Sequence, residues 1–181
     1  MQNKKRDIIQ LILTAVMIAM IFLAGNIIKV PTFGGFVHIG DCMVLISAVI
    51  LGKRRGAIAS AVGMTLVDIY GGYIIWAPFT FVIKGAMAYI TGTILEKFKE
   101  HSVKVYLISF LTSGIFMIIG YFISGAVIAN FLTGEVNGLI SALAYSAKDI
   151  LGNTIQVITG IIIAIPLSKV LEGASKKVFY T

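Results

Sequence analysis

From Val105 to Phe131 the sequence carries no charged residue, and a run of that kind has few folded destinations. About 20 apolar residues in helical form cross the hydrocarbon core of a bilayer, and stretches of similar character recur at Leu11 to Ala24 and Ile155 to Leu167. None of them alternates apolar with polar residues as a barrel strand must, so they read as helices. Composition agrees: 58% of the chain is apolar and 13% charged, with a mean hydropathy of +0.97, whereas about a quarter of a soluble domain is charged. A disordered chain, a disulfide scaffold and a collagen-like repeat are excluded, because one Cys and three Pro stand in 181 largely apolar residues.

Cut at its charge clusters and turn signals, the chain predicts an all-α integral membrane protein, a single domain over 1–181. Six transmembrane helices are expected near 8–28, 37–52, 56–70, 76–95, 105–131 and 148–170. The second and third are short and interrupted by Asp41 and Asp68. Lys4, Lys5 and Arg6, then Lys53, Arg54 and Arg55, then Lys97, Lys99 and Lys104, then Lys169, Lys176 and Lys177 fall between these segments or at the ends. Of the 15 basic residues only Lys29, Lys84 and Lys148 lie elsewhere. Cytoplasmic loops retain positive charge, so both termini are expected in the cytoplasm of a multi-pass plasma-membrane protein. The net charge of +7 comes from these loop clusters, and nucleic acid is not an expected partner. The opening Lys-Lys-Arg and its apolar run resemble a signal peptide, but the run is nearly of spanning length and five more segments follow. It reads as a retained first helix.

With this topology the intramembrane polar residues gather in the outer half: Asn26 and Lys29, His38 and Asp41, Asp68, Lys84, Asn130, and Lys148 through Gln156. Charges converging at one depth require partners or a water-filled cavity, since each costs about 2.5 to 3.5 kcal/mol on insertion scales. Asp149, Asn153 and Gln156 stand at i, i+4 and i+7, and Trp76, Thr80 and Lys84 at i, i+4 and i+8, so each set forms a stripe on one helix face. The two stripes are candidate walls of one outward-facing site. Each residue also has a plainer reading: Asp149 as an interfacial acid near a helix N-terminus, Lys84 as the structural partner of Asp68 or Asp149, Trp76 and Tyr73 as an aromatic belt, and Asn153 and Gln156 as interhelical hydrogen-bonding groups. Two small-residue patterns, Gly56, Ser60 and Gly63 on one helix and Ala15 and Ala19 on another, permit close helix approach, for which internal packing is the simplest use.

Several chemistries lack their parts. A nucleotide loop needs Gly-x-x-x-x-Gly-Lys-Ser/Thr, and Ser47 stands where its first Gly belongs before Gly52-Lys53. A zinc protease helix needs His-Glu-x-x-His, but the histidines are His38 and His101, the latter in a basic loop and expected to be solvated. His38 with Asp41 and Cys42 has ligand chemistry without completing a four-ligand set, and Ser124 or Ser146 with His38 is the remaining hydrolase arrangement. No cofactor, metal or catalytic group is expected.

The residues do carry a resemblance. His38-Ile-Gly-Asp41, Leu51-Gly-Lys-Arg-Arg-Gly56, Gly71-Gly-Tyr-Ile-Ile-Trp-Ala-Pro-Phe79, Ile83-Lys-Gly85, Asn153-Thr-Ile-Gln156, Gly160 and Ile165-Pro166-Leu167 occur in that order. The chain so read resembles a substrate-binding S-component of an energy-coupling factor (ECF) vitamin transporter, of the group for riboflavin, pyridoxine or hydroxymethylpyrimidine. The resemblance implies that Ala15 and Ala19 contact a transmembrane T-component and that two cytoplasmic ATPases power uptake. It further implies that a vitamin binds near the outer surface and that release involves toppling of the subunit. A small pyridine or pyrimidine ring suits Trp76 or Tyr121 as stacking partners, Asn153 and Gln156 as hydrogen-bonding groups, Thr80 beside them, and Lys84 or Asp149 as polar anchors. Riboflavin is the alternative substrate. A metal ion is disfavoured, because metal-importing relatives carry His directly after the initiator Met and Gln2 stands here. A membrane enzyme or assembly factor and a self-sufficient channel are the competing readings.

Overall fold

The computed structural model describes residues 2–27, 29–31, 36–98 and 102–179. The loop residues Lys99 and His101, and the side chains of Lys5, Arg6, Lys176 and Lys177, lie outside the described residues. Helix α1 (Gln2–Ile27) leads into an antiparallel pair, β1 (Lys29–Pro31) and β2 (Phe36–His38), with Lys29 opposite His38. There follow α2 (Gly40–Tyr70), α3 (Ala77–Leu95), α4 (Val103–Val127), a short α5 (Leu139–Ser146) and α6 (Ile150–Phe179). Among the described residues, four stretches, Asp7–Ile27, Ala77–Leu95, Val103–Leu132 and Leu139–Leu171, are long and apolar enough to cross a membrane.

The expected second and third helices are joined differently from the sequence reading. They form one 31-residue element in which only Gly52 leaves helical geometry, at φ 73° and ψ 177°. The basic triplet Lys53, Arg54 and Arg55, expected as a loop, is helical. The described residues thus carry five long helical elements, the second of which is two helices joined across a kink at Gly52 with no loop between them. The arms of α2 nevertheless fold back on each other: Ser47 Oγ donates to the Gly56 carbonyl at 3.2 Å and stands 2.8 Å from Ser60 Oγ. Residues that far apart in an unbroken helix lie roughly 13 to 20 Å apart, so these bonds require reversal at Gly52. Glycine occupies the corner because a side chain is strained at that positive φ.

Two further boundaries moved. α4 runs into a π-helical turn at Ile128–Leu132, closed by Thr133 N–H donating to the Ile128 carbonyl at 2.9 Å. The expected sixth helix begins at Ile150, because α5 and a 3-10 turn at Ala147–Asp149 carry the chain into it.

The interior is apolar and tightly interleaved, with Ile21, Val44, Met64, Val67, Met87, Phe110 and Met117 all at or near zero exposure. The small-residue stripe of α2 is used inside: Gly56 lies against Ala48, and a Cβ on Gly63 would stand 2.8 Å from Ile21 Cγ2 of α1. Ala15 and Ala19, by contrast, are exposed on α1 among Leu11, Ile12, Val16 and Met20. Such continuous apolar exposure suits lipid or protein in a membrane.

The β-pair, the 71–76 turn and the 133–138 segment gather at one end of the helices, while Gly52 and the Lys53–Glu96 ion pair (2.7 Å) mark the other. Gly52→Val is expected to shorten the half-life of the detergent-solubilised protein at elevated temperature, at a cost of about 1 to 3 kcal/mol. An unchanged half-life would remove the hinge role given to Gly52.

Candidate functional site

The end of the bundle that carries the β-pair also holds its buried polar groups. Asp41 opens α2, and Lys84 lies roughly 10 Å along α3 from Ala77. Pro78 sits in the first turn of α3, where its missing N–H is no loss, and the Trp76 carbonyl accepts the Thr80 N–H at 2.9 Å. Lys84 and Asp41 form a salt bridge in which neither side chain is exposed at all.

Desolvating two opposite charges costs several kcal/mol per ion, and such a pair persists only when its remaining valences are filled. They are filled. Gln156 of α6 donates from Nε2 to Asp41 Oδ2 at 2.9 Å, and its Oε1 accepts the His38 backbone N–H at 3.2 Å. The Lys84 ammonium stands 5.2 Å from the centroid of the Tyr121 ring, which adds a cation–π contact. One network thus ties α2, α3, α4, α6 and β2 together.

His38 closes the network from outside the helices. Its Nδ1 accepts the Gly40 N–H at 3.1 Å. Burial pushes the imidazole down to about 4 against the pull of Asp41, with the Lys84 and Lys29 charges acting in the same direction as burial. The ring is therefore neutral at physiological pH, and its Nδ1 lone pair is already engaged. That disposition leaves His38 poorly placed as a metal ligand or base through that nitrogen. Among the described residues no group of three or more His, Cys, Asp or Glu is gathered as a metal site requires.

Above the pair lies an aromatic and hydroxyl layer. Trp76 and Tyr121 stand 6.0 Å apart between ring centroids, tilted by 52°. Tyr121 Oη and Thr80 Oγ1 are 3.1 Å apart. Asp68, at the end of α2, reaches the Thr80 side chain, yet its Oδ2 is buried with no hydrogen-bond partner. A buried acceptor in that state costs about 1 to 3 kcal/mol, more when charged.

Of the residues singled out from sequence, Trp76, Thr80, Lys84, Tyr121 and Gln156 come together here. Asn153 sits one turn outward from Gln156 on α6 and is partly exposed. Asp149 lies outside α6, in the 3-10 turn that leads directly into it. The partner of Lys84 is Asp41, not Asp68 or Asp149 as the sequence suggested. The available signal was depth, since Asp41 and Lys84 each lie a few residues inside the same end of neighbouring helices. The orphaned oxygen of Asp68 had no sequence signature.

The buried polar centre thus sits at one end of a set of long apolar helices. Residues 5–173 match the ECF-type riboflavin transporter S component family, and the chain belongs to that family. It is a multi-pass cell-membrane protein. It is 29% identical over 175 residues to the thiamine precursor transporter HmpT of Lactococcus lactis subsp. cremoris, covering 95% of this chain and 92% of that one. It is also 32% identical over 145 residues to an uncharacterised protein of Pyrococcus woesei, covering 80% and 88% of the two chains.

Because the ion pair is enclosed, Lys84→Met is expected to destabilise the solubilised protein by about 3 to 5 kcal/mol, whereas Asp41→Asn with Lys84→Met recovers much of that loss. Thermal inactivation of the single and double variants checks it. A double variant no more stable than Lys84→Met would show that the pair is not the coupled unit described.

Proposed function

We propose that this S component captures a small aromatic vitamin or vitamin precursor, of the hydroxymethylpyrimidine or pyridoxine type, at the end of the bundle that carries the β-pair. Partner subunits then complete its uptake. The observation that carries the reading is the layer of Trp76, Tyr121, Thr80 and Asp68 set directly on the buried Lys84–Asp41–Gln156 network. Rigid groups held in place before binding lower the ordering cost that a small ligand must overcome. Trp76 and Tyr121 offer aromatic surface, and Thr80, Asn153 and Asp149 offer polar contacts to ring substituents. Lys84 and Gln156 act through the frame, because Asp41 already answers both.

The relation to HmpT favours a pyrimidine, and the family match keeps riboflavin as the alternative. The Lys and Arg distribution supports cytoplasmic termini and an outward-facing site. Six membrane passes are the corresponding topology, with each arm of α2 counted as one.

The same reading gives Ala15 and Ala19 a role. They form an exposed small-x-x-x-small pair on α1, on a surface remote from the polar layer, and this supports docking of a transmembrane T-component there. Two cytoplasmic ATPases would supply the energy.

Titration of the purified protein with hydroxymethylpyrimidine, pyridoxine, riboflavin, thiamin and biotin tests the substrate assignment. Emission of Trp76, the single tryptophan, is expected to change saturably near one-to-one with a small ring, and Tyr121→Ala is expected to weaken binding at least about tenfold, the equivalent of 1.4 kcal/mol. Absence of binding by fluorescence and calorimetry for all five compounds would refute the vitamin reading. Separately, Ala15→Leu with Ala19→Leu is expected to preserve affinity and abolish cellular uptake. Full uptake by that variant would remove the partner face from α1.

A further inference from the structure

The unpaired oxygen of Asp68 points to what the site selects. Asp68 is 7% exposed, and its Oδ2 has no donor although hydroxyl, phenol and ammonium groups lie nearby. The Lys84 ammonium is held by Asp41. Lys29 Nζ lies against Gly71, 3.2 Å from where a Cβ there would stand. Thr80 Oγ1 is within hydrogen-bonding distance of Tyr121 Oη, which places both hydroxyls beside the carboxylate. The protein thus encloses a carboxylate, supplies it with a neighbour on one side, and leaves one acceptor position unfilled next to the aromatic pair Trp76 and Tyr121. Native proteins rarely leave a buried acceptor unpaired, so this one calls for a functional account.

We infer that Asp68 is the specificity-determining residue of this site, and that it accepts a hydrogen bond from an N–H group on the edge of an aromatic ring lodged beside Trp76 and Tyr121. The inference rests on the vitamin-binding reading above and deepens it. A carboxylate accepts and does not donate when ionised, so it favours a ring bearing an amino group over one presenting an acceptor or a methyl group in its place. Discrimination of this kind is steep, because a ligand lacking the donor leaves the acceptor buried and unanswered.

The test is calorimetric titration of the full-length, detergent-purified protein with hydroxymethylpyrimidine and with the analogue in which a methyl group replaces its exocyclic amino group. The wild-type protein is expected to bind the amino compound about ten- to a hundredfold more tightly, and Asp68→Ala to bind the two with similar affinity. Equal affinities in the wild type, or a full preference retained by Asp68→Ala, would overturn the role of Asp68 while leaving the vitamin reading intact. If neither ring binds, and pyridoxine and riboflavin do not either, the vitamin reading fails and this inference with it. Should Asp68→Ala not fold, Asp68→Asn, which keeps an acceptor but not the charge, is expected to reduce the preference. The wild-type comparison needs no variant.

Discussion

Everything at the polar end of this molecule depends on a lysine and an aspartate that have no contact with solvent. Lys84 and Asp41 belong to different helices, and neither is tolerable alone in that interior. Their attraction fixes how α3 lies against the start of α2. Gln156 then fixes α6 to the same carboxylate, and the Tyr121 ring over the ammonium brings α4 in. Lipid gives apolar helices little reason to choose one neighbour over another, so polar contacts and close packing must make that choice. Here a few side chains specify an arrangement that burial of leucine and isoleucine leaves undetermined.

The same economy explains where stability and recognition part company. Groups in the network have their hydrogen-bonding capacity consumed by one another: Asp41 by Lys84 and Gln156, His38 Nδ1 by Gly40. The groups one layer further out are less committed. Trp76 and Tyr121 are partly exposed, and one oxygen of Asp68 is unanswered. A rigid floor with an incompletely satisfied layer on top is a sound design for holding a small ring, since the floor need not reorganise when the ring arrives.

Much of this was legible in the sequence because membrane solvation writes itself into long apolar runs and basic loops. The helices around 76–95 and 105–131 emerged within a few residues of their expected limits. The convergence of Trp76, Thr80, Lys84 and Gln156 followed from depth and helical spacing, whereas Tyr121 entered only through the family resemblance. What escaped was governed by backbone geometry and by pairing. Lys53 to Arg55 looked like a loop because three adjacent charges do so in most chains, whereas a single glycine at positive φ can reverse the chain and let helix resume at once. Asp149 lies outside α6 because the 3-10 turn to which it belongs precedes that helix. Which carboxylate meets Lys84 depends on the rotation of α2 about its own axis, and spacing along one helix carries no information about that angle.

The folded-back α2 also has a bearing on the surrounding lipid. Its arms, Gly40 to Leu51 and Lys53 to Tyr70, reach only roughly 18 and 27 Å, short of a hydrocarbon layer about 30 Å thick. The shorter arm is buried from Gly40 to Ala48 and is walled off from lipid by its neighbouring helices, while the longer arm shows Ile58, Leu66 and Ile69 at the surface. The half-length arm thus meets protein in place of acyl chains, and hydrophobic mismatch falls on the longer arm alone, which is only about 3 Å short of the hydrocarbon thickness.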